Sequence, residues 1–141
     1  MVEGAVVVVK AASGAGAAAL RAEGERLWAA AHPGVVALVH SAGTDDAWEL
    51  RLAHGGRPAT LLHPATPAQV ASIAAAAADT LADLHERGVV HGRLAARHLL
   101  LGPDGQIRLC GFGPGGDATP EDDVAALGAV ITELLGGREE L

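Results

Sequence analysis

The residues best able to do chemistry lie close together, in the segment 88–101. This segment contains His91, Arg93 and His98, which are two imidazoles and a guanidinium, and it contains no carboxylate. A histidine acts as a general base only with a suitable partner within hydrogen-bond reach, so a structural role is predicted for His91. The spacing of His85, His91 and His98 matches no common metal site. We therefore predict no metal.

The elements that must position these residues begin with a strand. Residues 5–10 form a β-branched run that is too short for a helix, and a loop of Gly, Ser and Ala is predicted for 11–16. Residues 17–31 are good helix formers, with Leu20, Leu27 and Trp28 at helical spacing. Residues 35–41 and 48–53 are predicted strands, joined by a turn at 43–46 and followed by a connection at 54–57.

The second half of the chain is predicted to be mainly helical. Thr66-Pro67 is a helix-start signal and opens a helix over 68–87. Residues 99–101 and 107–110 indicate a β-hairpin, because the Gly-Pro-Asp-Gly sequence between them favours a tight turn.

Segment 88–101 and the sequence Leu-Cys-Gly-Phe-Gly at 109–113 resemble the catalytic loop and metal-binding turn of eukaryotic-type Ser/Thr protein kinases, including bacterial ones. That family's loop reads His-Arg-Asp-Leu-Lys-Pro-x-Asn, and its turn reads Asp-Phe-Gly. The resemblance implies that Arg93 replaces the proton-accepting Asp, His98 the magnesium-binding Asn, and Gly111 the Asp of the turn. It also implies that Phe112 and Gly113 are retained as structural residues. Phosphoryl transfer depends on metal ions that neutralise phosphate charge, so these replacements predict an inactive site.

Three further residues follow from the same resemblance. Lys10 stands where the family has the lysine of its third strand, and Glu23 precedes a His-Pro-x-x-Val-like sequence at His32 at the offset of the glutamate of kinase helix C. An ion pair between Lys10 and Glu23 is therefore expected, either structural or as part of a residual nucleotide site. The stretch 119–137 resembles kinase helix F, which opens with Asp-Val-x-x-Leu-Gly and closes with Glu-Leu-Leu-x-Gly. The resemblance implies a helix here, in which Asp123 corresponds to the aspartate that braces the catalytic loop.

The fold implied is α+β: a truncated protein-kinase-like domain with a small antiparallel N-lobe sheet and helix C, and a mainly helical, shortened C-lobe. Residues 1–141 are predicted to form one domain, with 1–56 as the partial N-lobe and 57–141 as the partial C-lobe. The glycine-rich loop, the activation segment and the later C-lobe helices of a kinase have no counterpart here. A related family, the aminoglycoside and choline phosphotransferases, also has a His-Gly start to its loop, but it lacks the Phe-Gly and the Asp-Val-x-x-Leu-Gly sequences.

The function implied is that of a pseudokinase, a module without catalytic activity that serves protein binding, assembly or regulation. Two alternatives stay open: a residual sensor that binds ATP without magnesium, and a weakly active Ser/Thr kinase that uses other residues. Apart from that residual ATP, no cofactor is predicted.

Composition limits the partners. The 141 residues include 10 basic and 17 acidic side chains, a net charge of −7, which argues against nucleic acid or an anionic membrane as a partner. The single cysteine, Cys110, is typical of a reducing interior, and no segment resembles a membrane span, so a cytoplasmic protein is expected.

A protein partner or self-association is predicted from two apolar surfaces. The first is one face of the last helix, which the missing C-lobe helices would otherwise cover. The second is the edge of the valine-rich first strand, the counterpart of the third kinase strand, which lacks its neighbours here. The apolar positions of the last helix are Val124, Leu127, Val130, Ile131, Leu134 and Leu135.

Overall fold

The computed structural model describes residues 7–62, 65–112 and 117–136. Within them the chain has a mixed α+β architecture, with three α-helices and two three-stranded antiparallel sheets. The α+β class predicted from the sequence is confirmed at this level. Gly113, predicted to be structural, lies outside the described residues.

The first sheet contains β1 (Val7–Ser13), β2 (Leu38–Thr44) and β3 (Ala47–Ala53) in the order β1-β3-β2. Strand β1 pairs with β3 along its whole length, up to Ser13 opposite Ala47. The loop predicted for 11–16 is therefore wrong over its first half, because residues 11–13 continue the ladder. Residues 5 and 6 of the predicted strand lie outside the described part of the chain.

Helix α1 (Ala15–Ala29) packs on one face of this sheet. It begins two residues before the predicted helix, because Gly14 reverses the chain directly after β1 with a φ of 62°. It also ends two residues earlier, at Ala29. Gly24 brings the helix close to β3, since a Cβ there would lie 2.7 Å from Cδ2 of Leu50. Trp28 shares the helical spacing of Leu20 and Leu27, but it does not join the core and is 68% exposed.

The β2–β3 hairpin is shifted relative to the prediction. Strand β2 begins at Leu38 rather than Val35, and its turn is reduced to Asp45 and Asp46. The segment before β2 instead contacts the second sheet: the N–H of Val36 donates to the carbonyl of Leu109 at 2.9 Å. Residues 34–36 thus join the two halves of the molecule.

The second sheet contains β4 (Arg57–Pro58), β5 (Leu99–Leu101) and β6 (Ile107–Leu109) in that order. The predicted hairpin is confirmed, although β6 ends at Leu109 rather than Cys110. Arg57, predicted as part of a connection, pairs with Leu101. Single 3₁₀ turns lie at Ala59–Leu61 and Ala96–His98.

Helices α2 (Pro67–Glu86) and α3 (Pro120–Leu134) pack against each other. Both begin with a capping box: the side chain of Thr66 accepts from the N–H of Gln69, and that of Thr119 from the N–H of Asp122. Proline at the first helical position adds to each start. The Thr66-Pro67 signal in the sequence therefore predicted the start of α2 to within one residue, and the helix expected after Thr119 from the resemblance begins at Pro120.

The apolar face predicted to be exposed on α3 is smaller than expected. Val130 and Leu134 are buried in the core, and Leu127 and Ile131 are partly buried against it. Helix α3 packs on α2 and on the 3₁₀ turn Ala96–His98, and this packing covers part of its apolar surface. Val124 and Leu135 remain exposed.

One contiguous core connects α1, the two sheets, α2 and α3, and Phe112, Leu50, Leu84, Leu99 and Leu109 are among its fully buried members. None of the three helices in the described part of the chain has the length and hydropathy needed to cross a bilayer.

Candidate functional site

Asp123 fixes the loop that contains the candidate residues. It lies in the first turn of α3 and is almost completely buried. Its Oδ2 accepts the backbone N–H of His91 at 2.8 Å, and its Oδ1 accepts that of Gly92 at 2.9 Å. Nε2 of His85, near the end of α2, lies 2.8 Å from the same carboxylate. One side chain thus connects two helices to the loop.

The imidazole of His91 is buried and fully hydrogen-bonded. Its Nδ1 accepts the N–H of Arg93 at 3.1 Å, and its Nε2 donates to the carbonyl of Cys110 at 2.7 Å. The ring also contacts Phe112, with 4.3 Å between ring centroids. Burial lowers the pKa of His91 to about 4, against the opposing effects of the Cys110 carbonyl and Asp123. With both ring nitrogens occupied, His91 has no free nitrogen to accept a substrate proton.

His98 fills the space beside Gly111. Its Nδ1 donates to the carbonyl of Arg93 at 2.8 Å, and its ring lies against Gly111. Burial lowers the pKa of His98 as well. Gly111 has a φ of 72°, and a Cβ on it would lie 2.3 Å from Cδ2 of His98. No side chain, and so no carboxylate, fits at position 111 while His98 keeps this position.

Arg93 has a fixed backbone and a free side chain. Its N–H donates to Nδ1 of His91, and its carbonyl accepts from Nδ1 of His98. Its side chain is exposed, and within the described residues its guanidinium has no hydrogen-bond or ion-pair partner. Arg93 therefore presents a cation to solvent.

Lys10 and Glu23 meet across β1 and α1, as the sequence predicted. Lys10 Nζ lies 2.6 Å from Glu23 Oε2, and the glutamate side chain is the more buried of the two, at 12% exposure against 40%. The contact fastens α1 to the inner face of the first sheet. Whether this pair also has a ligand-binding role stays a prediction.

A cleft of about 310 Å³ lies between the two sheets, with the Lys10–Glu23 pair on one side and His98 on the other. This volume is at the lower end of the range for small-molecule sites. Burial raises the pKa of Cys110, so its thiol faces the cleft in the protonated form. The apolar part of the lining includes Val8, Val36, Leu52 and Leu100.

The donor set of this cleft does not suit magnesium. Mg²⁺ prefers oxygen ligands, whereas among the described residues the one carboxylate that lines the cleft, that of Glu23, is paired with Lys10, and His98 offers an imidazole. Among residues 7–62, 65–112 and 117–136, no group of three or more His, Cys, Asp or Glu side chains lies close enough together to hold a metal ion. The absence of a metal site stays a prediction.

Two contacts of this region had no signal in the sequence. The first is His85 on Asp123, which join positions 38 residues apart. The second is the guanidinium of Arg26, which donates from α1 to the carbonyl of Val90 in the loop. The Nε of Arg26 is buried without a partner in the described structure. Together these contacts attach the loop to α1, α2 and α3.

The sequence matches no protein-family model, and no curated protein is significantly similar to it. The likeness to protein kinases therefore depends on the chain's own motifs.

Proposed function

We propose that this chain is a pseudokinase: a kinase-like module without catalytic activity that binds another protein and regulates or assembles it. One observation carries the proposal. The ring of His98 occupies the space that a side chain at position 111 would need, beside a loop that Asp123 holds in place. This arrangement keeps a scaffold and leaves no room for a metal-binding carboxylate.

Two other features support the absence of catalysis. His91 uses both ring nitrogens in internal hydrogen bonds, and Arg93 places a cation where the resemblance expects a base. A general base must accept a proton from the substrate hydroxyl, which a guanidinium cannot do. The single half-buried cysteine agrees with the cytoplasm as the proposed location.

Phosphate transfer is the first test. The native chain, incubated with labelled ATP, magnesium and a generic protein substrate, is expected to incorporate no more phosphate than its Lys10→Ala variant. Transfer by the native chain that disappears in Lys10→Ala would overturn the proposal.

Restoring the missing oxygen ligands tests the same idea in the opposite direction. A triple variant, Arg93→Asp with His98→Asn and Gly111→Asp, is expected to bind ATP in a magnesium-dependent way by calorimetry. His98→Asn has to be included because the imidazole would collide with a new side chain at 111. The control is Arg97→Asp, an exposed arginine in the same loop. Equal magnesium-dependent binding by the native chain would contradict the proposal.

The binding role is tested by cross-linking in the native cell, followed by reconstitution from purified components. A complex of fixed stoichiometry supports this role. If none of the captured proteins binds the purified chain, the role is contradicted.

A second candidate function is metal-independent binding of ATP. The cleft of about 310 Å³ and the partly exposed Lys10 at its side favour it. Millimolar ATP with a chelator is expected to raise the melting temperature of the native chain and not that of Lys10→Ala. No shift in the native chain would exclude this candidate.

A further inference from the structure

We propose that the free edge of β1 is a self-association surface, at which two copies of this chain pair antiparallel across a two-fold axis. The β1-β3-β2 sheet of one copy and that of the other then become one six-stranded sheet. This proposal is independent of the proposed function, because strand pairing and phosphate transfer are measured separately.

The hydrogen-bonding groups on this edge are oriented for a further strand. Gly14 donates its N–H to the carbonyl of Asp46 at 2.8 Å, one step beyond the pair Ser13–Ala47. Opposite residues of two antiparallel strands form hydrogen-bonded and non-hydrogen-bonded pairs in alternation. Because Gly14 belongs to a hydrogen-bonded pair, the even-numbered residues of β1 bond to β3. The N–H and C=O groups of the odd-numbered residues point away from the sheet. In the described part of the chain, β3 is the only strand paired with β1.

The two edges of this sheet differ. Strand β2, at the other edge, has a register shift between Leu38 and His40, an irregularity that disrupts a ladder and blocks further pairing. Strand β1 has a continuous register, no proline and one charged side chain, Lys10. That side chain lies on the inner face with Glu23. Strand β2 is therefore protected by an irregular ladder, whereas β1 has a regular ladder and a single inward-pointing charge, Lys10, which Glu23 neutralises.

The charge distribution favours a second copy as the occupant. The chain has a net charge of −7, so two copies repel each other over most of their surface. Along β1 the one charge, on Lys10, is paired with Glu23 at 2.6 Å. The edge itself is locally neutral and apolar, and Val7, Val8 and Val9 are 41–55% exposed. Two copies therefore meet with least repulsion along this strand.

The register follows from the same residues. With the two-fold axis at Val9, this residue faces its own copy and Val7 faces Ala11, so small apolar side chains oppose one another. Between the two copies, the pairs Val9–Val9, Val7–Ala11 and Ala11–Val7 can each exchange two backbone hydrogen bonds. An axis at Lys10 would place two cations directly opposite, which is unfavourable. An axis at Ala11 would place Val9 opposite the polar Ser13 and leave Val7 opposite residue 15, beyond the point where Gly14 reverses the chain.

Paired charge substitutions test both the surface and the register. By sedimentation velocity, the native chain at micromolar concentration is expected to be a dimer, and Val9→Lys and Val9→Glu are each expected to be monomers. An equimolar mixture of the two variants is expected to regain the dimer, because opposite charges then face each other on the axis. The control is Val39→Lys, an exposed valine on the β2 edge, which is expected to leave the dimer intact. Circular dichroism checks that each variant is folded.

Hydrogen exchange on the native chain gives a readout that needs no substitution. Raising the protein concentration is expected to slow exchange of the Val7, Val9 and Ala11 amides and to leave the Val8 amide unchanged. A folded native chain that stays monomeric would overturn the proposal. Loss of the dimer in Val39→Lys, with the dimer kept in the Val9 variants, would also overturn it. So would recovery of the dimer when Val9→Lys is mixed with Ala11→Glu but not when it is mixed with Val9→Glu.

Discussion

The imidazole of His98 lies so close to Gly111 that a Cβ on the glycine would be 2.3 Å from Cδ2 of the ring. The two positions are therefore coupled. Glycine at 111 allows His98 to lie inside the cleft, and His98 in turn prevents any side chain at 111. Because Gly111 also has a φ of 72°, its backbone favours glycine for a second reason.

This coupling predicts a non-additive effect of substitution. Gly111→Ala is expected to lower the free energy of unfolding by about 3 kcal/mol, from the collision and the positive φ together. In a His98→Ala background, the same change should lower it by only about 1 kcal/mol, since the φ term alone remains. Urea denaturation of the four proteins measures both values.

The control for this cycle is Gly105→Ala, because Gly105 has a φ of 80° with no atom near its Cβ position. It is expected to show the φ term alone, about 1 kcal/mol. Equal effects of Gly111→Ala in the two backgrounds would show that His98 does not close this position.

Asp123 is expected to be among the most sensitive positions for stability. Asp123→Ala leaves the buried N–H of His91 without an acceptor and also removes the acceptor of the Gly92 N–H, so the free energy of unfolding should fall by about 3 kcal/mol. Faster hydrogen exchange at these two amides should accompany the loss. The matched control is Asp122→Ala, which removes an exposed helix-capping contact worth about 1 kcal/mol. If both substitutions have the same effect, Asp123 does not hold the loop.

Stability should decrease in acid because of His91. Its pKa is about 4 in the folded chain, against 6.5 when unfolded, so between these values the unfolded chain binds more protons. The free energy of unfolding therefore falls as the pH drops through this window, by about 3 kcal/mol at pH 4. Urea denaturation at several pH values measures this slope.

His91→Gln removes this titrating group and is expected to make the slope shallower, with the smaller contribution of His98, whose pKa burial also lowers, remaining. His54→Gln, at an exposed histidine, should leave it unchanged. An equally steep slope in His91→Gln would show that His91 is not the source of the acid sensitivity.

The Lys10–Glu23 pair is expected to contribute modestly to stability. Because Lys10 is 40% exposed, solvent screens the attraction, and a double-mutant cycle with Lys10→Met and Glu23→Gln should give a coupling energy of about 1 kcal/mol or less. The more exposed pair Arg21–Glu25, at 3.8 Å, serves as the control and should give about 0.3 kcal/mol. A coupling no larger than that of the control would mean that the contact does not hold α1.

The predictions from sequence succeeded where the signal was local. Thr66-Pro67 marked the start of α2, because capping and proline geometry act within four residues. The boundaries of β1, α1 and β2 were wrong by two or three residues, because pairing with β3 and the reversal at Gly14 decided them. The six apolar positions of α3 were identified, but not which of them α2 would cover.

The sequence by itself determined the chemical groups of this site: an arginine at 93, a histidine at 98 and no side chain at 111, with carboxylates at 23 and 123. The tertiary structure alone decided which groups meet, including His85 with Asp123, Arg26 with the loop, and the outward edge of β1. The physical reason is the distance along the chain over which each effect acts. Propensity, capping and turn chemistry depend on neighbours in the chain, whereas contacts between residues 30 or more positions apart depend on how the helices and sheets pack together.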